Sequence, residues 1–180
     1  MNQTTEKLQI PEGIKVTVEG NSVKVAGKHG MVERRIEDPR ITIKLEANSI
    51  VISADRTTKR ERTKIGTWRA HLANMLRGAE SGHTYTLKIC SGHFPMNVST
   101  TEKEFTIKNF LGEKVPRKLG LKEGAKVKIE GDLVRIESTS KELAGQTAAD
   151  IEQMCKIRGR DSRIFQDGIW IIEKDGKPLK

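Results

Sequence analysis

The chain has 180 residues, enough for one compact domain or two small ones. It carries 33 Lys and Arg residues against 24 Asp and Glu residues, a net charge of +9 at pH 7. This excess indicates a polyanionic partner, either nucleic acid or an anionic membrane surface. No apolar run approaches the roughly 20 residues of a transmembrane helix, and the widely separated Cys90 and Cys155 indicate neither a disulfide framework nor a zinc site. We therefore expect a soluble, cytoplasmic protein.

Alternating apolar residues predict a series of half-buried strands in the first part of the chain. A hairpin is predicted around Glu19–Ser22, because valines alternate on both sides of this polar turn. Two further strands are predicted at Ile41–Leu45 and Ile50–Ile52. Apolar residues then recur every three or four positions from Ile65 to Leu76, which predicts an amphipathic helix ending near Gly78.

The same order of elements then begins again. Matching positions are separated by 82 residues in the hairpin, 84 in the next strand pair and 79 in the helix, as in Val16 and Val98, Ile43 and Val127, and Gly66 and Gly145. The drop from 84 to 79 predicts a second strand-to-helix loop that is five residues shorter. We predict an α+β fold of two tandem duplicated domains, residues 1–81 and 82–180, each a small, mostly antiparallel sheet packed with one helix.

Basic residues concentrate in two segments. The segment Arg56–Lys64, which includes Arg60 and Arg62, is predicted to lie in the longer strand-to-helix loop. Such a loop suits phosphate contact, but a solvated loop explains it equally well. The other segment follows the second predicted helix and has more cations than the helix dipole requires. We predict that these cations contact RNA phosphates: Lys156, Arg158, Arg160 and Arg163.

Two other loops are weaker candidates for RNA contact. Gly92 and His93 lie in a loop containing glycine and proline, where a histidine can hydrogen-bond or stack on a nucleotide. Lys114, Arg117 and Lys118 surround Pro116. A lone histidine in a loop is more often just a surface residue, and local salt bridges explain the three basic residues almost as well.

Patterns that carry catalysis are missing from the sequence. The four histidines show no metal-binding spacing, and no phosphate-binding loop, nucleophile elbow or dinucleotide-binding glycine pattern occurs. Four Phe, two Trp and one Tyr are too few for the stacking platforms of single-strand binders. We expect no enzyme activity, cofactor, metal or small-molecule substrate. A basic protein with few aromatic residues is suited to recognise structured RNA by shape and phosphate contact.

The segment Gln153–Trp170 resembles the C-terminal motif of the large-subunit ribosomal protein L6 family, in its archaeal and eukaryotic branch (called L9 in eukaryotes). The stretches Gly27–Gly30 and Gly92–Met96 also resemble that family, and the duplication extends the resemblance over nearly the whole chain. The resemblance implies a structural constituent of the large ribosomal subunit, active in translation. It further implies binding to large-subunit (23S-type) rRNA near the base of the sarcin–ricin region and the translation-factor site.

By the same resemblance, the C-terminal domain makes the principal rRNA contact, through the cations of residues 156–163 and more loosely through the His93 loop. We interpret Asp167 and Gly168 as a turn between strands and Phe165 and Trp170 as packing residues, and none of them as an RNA ligand. The expected partners are this rRNA and neighbouring large-subunit proteins, with translation factors nearby and no membrane. The rival hypotheses are a regulatory RNA- or DNA-binding module outside the ribosome and an RNA-modifying enzyme.

Overall fold

The computed structural model describes residues 4–36, 38–56 and 58–179. The chain divides into two compact units, of which the first ends at Gly82 and the second begins at His83.

In the described part of the first unit, six strands precede one helix. These elements are β1 (Thr4–Gln9), β2 (Lys15–Glu19), β3 (Ser22–Gly27), β4 (Gly30–Arg35), β5 (Ile41–Glu46), β6 (Ser49–Ala54) and α1 (Lys59–Ser81). The strands form two antiparallel sheets with the orders β1-β6-β5 and β2-β3-β4. Alternate strand residues and one face of α1 bury a shared aliphatic core, including Val23, Val25, Ile50, Ile52, Ile65 and Leu72.

The second unit repeats this order and adds two strands. Its elements are β7 (His83–Cys90), β8 (Asn97–Thr100), β9 (Glu104–Lys108), a 3-10 turn (Phe110–Gly112), β10 (Arg117–Gly120), β11 (Ala125–Glu130), β12 (Leu133–Ser138), α2 (Lys141–Met154), β13 (Gly168–Lys174) and β14 (Lys177–Pro178). The sheets have the orders β10-β9-β8 and β11-β12-β7-β13-β14. The core of this unit includes Leu87, Phe105, Ile107, Ile136, Ile151 and Ile169.

The strand register is the same in both units. Two apolar pairs show this: Val16 opposite Val25 corresponds to Val98 opposite Ile107, and Ile43 opposite Ile52 corresponds to Val127 opposite Ile136. The predicted fold of two tandem duplicated α+β domains is therefore confirmed.

The segment Arg56–Lys64 is mostly helical, so its prediction as a loop is wrong. Helix α1 begins at Lys59, which places Arg60 and Arg62 in its first turns. The cause is Glu61, whose buried carboxylate accepts hydrogen bonds from the Thr58 hydroxyl and, at 3.3 Å, from the Arg40 guanidinium. Thr58 and Glu61 have the spacing of a capping box, a helix-start signal in the sequence.

Helix α1 also ends later than predicted. Gly78 is buried inside it, and the helix continues to Ser81, with Gly82 beyond its end at φ 75°. The last turn receives a hydrogen bond from the β3–β4 turn, in which the His29 N–H donates to the Ala79 carbonyl at 3.2 Å. Gly27 begins that turn so close to the helix that a methyl group there would overlap the Ala79 carbonyl.

Candidate RNA interface

Strand β13 brings two of the predicted RNA-binding segments together. It pairs antiparallel with β7, and its first residue, Gly168, lies opposite Cys90, the last residue of β7. The segment 155–167 before β13 therefore lies against the loop 91–96 after β7. Together these segments contain six of the predicted site residues: Gly92, His93, Lys156, Arg158, Arg160 and Arg163.

Asp167 connects the two segments. One carboxylate oxygen accepts hydrogen bonds from the backbone N–H groups of Gly92 at 2.5 Å and His93 at 3.0 Å. The other lies 2.5 Å from Nδ1 of the His93 ring. Asp167 is only 4% exposed, so this carboxylate is satisfied by protein groups rather than by water.

These hydrogen bonds fix the charge of Asp167. Burial alone raises the pKa of the carboxyl, but the hydrogen bonds from His93 and Gly92 favour the charged form and hold the pKa below its usual value. An ionised carboxylate only accepts hydrogen bonds, so the proton between it and the imidazole belongs to Nδ1. The opposite ring nitrogen, Nε2, is then the atom of His93 that is left for a ligand.

A second contact between the segments is made by rings. The His93 imidazole stacks on the Phe165 ring with a centroid distance of 4.6 Å and an interplanar angle of 27°. The Arg160 guanidinium lies over the same Phe165 ring, 4.8 Å from its centroid. Phe165 therefore contacts both a predicted phosphate ligand and the predicted histidine.

The cations of this segment are exposed, as phosphate contact requires. Lys156, Arg158 and Arg160 are all exposed, and within the part of the chain that the structure describes no carboxylate pairs with Lys156 or Arg158. The Arg163 side chain is 88% exposed and pairs with Asp161, with an Nη2 to Oδ2 distance of 2.8 Å. A second bond joins Arg163 Nε to Asp161 Oδ1 at 3.2 Å, but both partners are on the surface, so water screens the pair and a phosphate can compete for the guanidinium.

The Arg117 side chain makes its contacts within the protein. It makes a two-pronged pair with Glu113, at 2.5 and 2.8 Å, and donates to the Met154 carbonyl at 2.5 Å. Its guanidinium also lies 4.2 Å from the centroid of the Phe110 ring. Met154 ends α2, so Arg117 satisfies a carbonyl that the helix leaves unpaired. The geometry gives Arg117 a structural role, and its contact with RNA stays a prediction.

The other predicted site residues lie on the surface outside these two segments. Lys114 is exposed, and Lys118 pairs with Glu104 at 3.1 Å. Arg60 and Arg62 are exposed on α1 of the first unit, while Lys64 beside them pairs with Asp38. These residues lie outside the two segments that Asp167 connects, and their contact with RNA stays a prediction.

The interpretation of Asp167 and Gly168 as a turn between strands is wrong. Gly168 is the first residue of β13, and the preceding segment is irregular rather than a strand. The role of Asp167 was missed because its partners lie more than 70 positions earlier in the sequence. The signal available was an acidic residue at the end of a strongly basic segment, immediately before a buried strand.

The family of this chain follows from its sequence matches. The family described as "Ribosomal protein L6" matches residues 10–82 and 94–168, one stretch in each unit. This chain belongs to the ribosomal protein L6 family. The second stretch contains the whole segment 155–167, whereas Gly92 and His93 lie just before it.

Two curated relatives match almost end to end. A protein named large ribosomal subunit protein uL6 from Methanococcus vannielii is 43% identical over 174 residues, which cover 97% of this chain and 96% of the relative. A protein of the same name from Methanobrevibacter smithii is 41% identical over 170 residues, covering 94% of this chain and 96% of the relative.

The ribosomal protein L6 family is a structural, non-enzymatic component of the ribosome, and so is this chain. Among the residues that the structure describes, no group of three or more His, Cys, Asp or Glu side chains is placed to hold a metal ion. In those same residues no helix has the length and apolar character needed to cross a membrane.

Proposed function

We propose that this chain anchors large-subunit rRNA near the base of the sarcin–ricin region and the translation-factor site. It does so as a constituent of the large ribosomal subunit, and residues 82–180 make the principal contact. Both curated relatives are named as proteins of the large ribosomal subunit, which supports the assignment. The observation that carries the RNA contact is the exposed basic segment 156–163, held against the 91–96 loop by Asp167.

The cations of this segment act on the RNA backbone. Lys156 and Arg158 are exposed without a protein carboxylate as partner among the described residues, so their charges can neutralise phosphates without first breaking an ion pair. Arg160 is held by Phe165, which lowers the entropy lost when its guanidinium binds. Arg163 must exchange Asp161 for a phosphate, and His93 contributes one polar ring atom beside these cations.

The remaining predicted ligands form weaker, separate contacts. Lys114 and Lys118 extend the basic surface of the second unit, and Arg60 and Arg62 provide cations on the first. Their exposure permits phosphate contact, but Asp167 connects only the segment 156–163 and the 91–96 loop, and both belong to the second unit. We therefore assign the principal contact to the second unit. The partners of the protein are this rRNA and neighbouring large-subunit proteins, and translation factors bind nearby.

Sedimentation tests the ribosomal assignment. Tagged protein expressed at its natural level is expected to migrate with large subunits on a sucrose gradient and to resist a moderate-salt wash. A regulatory RNA- or DNA-binding module that acts outside the ribosome would stay at the top of the gradient. A profile in which most of the protein remains at the top would contradict the proposal.

A further inference from the structure

Asp167 is a buried anion that connects the basic segment 156–163 to the 91–96 loop. It is 4% exposed, and its two carboxylate oxygens are engaged by Gly92 and His93. A buried carboxylate with these partners does not contact a phosphate, which it would repel. Its effect on RNA binding must therefore pass through the residues that it holds.

We propose that Asp167 is the positioning residue of this RNA interface. Its carboxylate fixes the backbone of the 91–96 loop and the orientation of the His93 ring, and so joins the loop to the basic segment 156–163. The proposal rests on the proposed function, since it takes these two segments as the rRNA contact.

The contacts of Asp167 extend to one of the cations, Arg160, through the His93 and Phe165 rings. Its bond to Nδ1 orients the His93 imidazole, which stacks on Phe165 at 4.6 Å. Phe165 in turn lies under the Arg160 guanidinium at 4.8 Å. Without the carboxylate, the ring that supports Phe165 can rotate, and Arg160 loses a fixed position. The hydrogen bonds to two backbone N–H groups also disappear, which frees the loop itself.

The direction in which RNA affinity changes when Asp167 is replaced distinguishes the positioning role from an effect of net charge. Replacing Asp167 by a neutral residue makes the protein more basic, and net charge alone then favours tighter binding to RNA. The positioning role predicts the opposite result. A control with the same change in charge is Asp132, which is exposed in the β11–β12 turn of the same unit.

The test compares Asp167→Ala and Asp167→Asn with Asp132→Ala in the full-length protein. The RNA is a large-subunit rRNA fragment that carries the sarcin–ricin domain, titrated over a series of salt concentrations. Asp167→Ala is expected to weaken binding about tenfold, because three hydrogen bonds are lost. It is also expected to reduce the salt slope by about one unit, because a phosphate contact is lost. Asp132→Ala should bind at least as tightly as the wild type.

Asp167→Asn covers the case in which Asp167→Ala does not fold. Its amide oxygen still accepts the two backbone N–H groups, but its NH₂ group faces Nδ1 and favours the tautomer with the proton on Nε2. The expected affinity lies between those of the wild type and Asp167→Ala. Nitrogen-15 NMR of the His93 ring in the free protein should show the proton on Nδ1 in the wild type and the change of tautomer in the variant.

The outcomes distinguish the inference from the function on which it rests. A wild-type protein that does not bind the fragment would overturn the proposed function. A wild type that binds, with Asp167→Asn binding as tightly as Asp132→Ala, would overturn the positioning role alone. Weaker binding by folded variants with an unchanged salt slope and an unchanged His93 signal would also overturn it, because the phosphate contacts would then be intact.

Discussion

Single residues show how the fold holds its basic segment in place. Arg117 is a cation in a basic loop, yet its guanidinium is used by Glu113, by the Met154 carbonyl and by the Phe110 ring. Neighbouring Lys118 makes a single exposed pair with Glu104. Two cations that are adjacent in the sequence therefore differ in their contribution to stability, because only one of them is embedded in the protein.

We expect Arg117→Ala to lower the free energy of unfolding by about 1–3 kcal/mol, since it leaves a helix-end carbonyl and a carboxylate without their partner. Lys118→Ala removes one exposed ion pair and should cost at most about 1 kcal/mol. Urea denaturation of both variants measures the difference. Equal losses would contradict the structural role of Arg117.

Replacing either of two glycines by alanine is predicted to change the stability of the protein in opposite directions. Gly27 faces the Ala79 carbonyl, so Gly27→Ala forces the β3–β4 turn away from α1 and should cost about 1–3 kcal/mol. Gly66 lies within α1 with open space around it, so Gly66→Ala should stabilise the protein by about 0.5–1 kcal/mol. Thermal unfolding checks both, with melting temperatures shifted in opposite directions. A stabilising Gly27→Ala would show that the turn is not packed as described.

The charge of Asp167 makes stability depend on pH in acid. Its pKa in the folded protein lies below the usual value of 3.8. The stabilisation that the ionised Asp167 carboxylate gives the folded protein is therefore fully present above pH 3.8, the usual pKa. It is lost as the pH falls through the pKa of the folded state. The gap in unfolding free energy between the wild type and Asp167→Asn should shrink as the pH is lowered from about 5 towards 2. A gap that stays constant over this range in urea titrations would contradict an ionised, hydrogen-bonded Asp167.

At the scale of elements, the two repeats differ in how their helices end. Helix α1 runs to Ser81, with its last turn bonded to the His29 N–H. Helix α2 ends at Met154, where Arg117 takes the helix-end carbonyl. The chain then leaves the helix early and forms the basic segment before returning as β13. The basic segment of the proposed interface is thus an addition to the shared fold, and it begins where the second helix ends early.

This difference predicts unequal roles for the two basic clusters. Arg158→Ala with Arg160→Ala is expected to weaken incorporation into large subunits more than Arg60→Ala with Arg62→Ala. The first pair lies in the segment that Asp167 connects to the 91–96 loop, and its Arg160 contacts Phe165, whereas the second pair is exposed in the first turns of α1. Competition of each variant with the wild type for incorporation provides the measurement. Equal losses, or the reverse order, would move the main contact to the first unit.

At the scale of the whole molecule, the duplicated fold could be predicted from the sequence because strand pairing repeats the same apolar spacing in both halves. The basic segment after α2 was also predictable, since its charge density is local. The contact that holds this segment against the 91–96 loop could not be predicted. Asp167 and Gly92 are distant in the sequence and meet only through the pairing of β7 with β13. The start of α1 was misplaced because Glu61 was taken as one charge among many, although it is buried and bonded to Thr58.

The most direct measurement of specific rRNA anchoring is binding of the purified protein to a large-subunit rRNA fragment that carries the sarcin–ricin domain. The titration is repeated over a salt series with excess tRNA as competitor. With about five phosphate contacts, the slope of log K against log salt concentration should be roughly −3 to −5, and binding should survive the competitor. Weak binding that tRNA abolishes equally would contradict specific anchoring and leave only a basic surface.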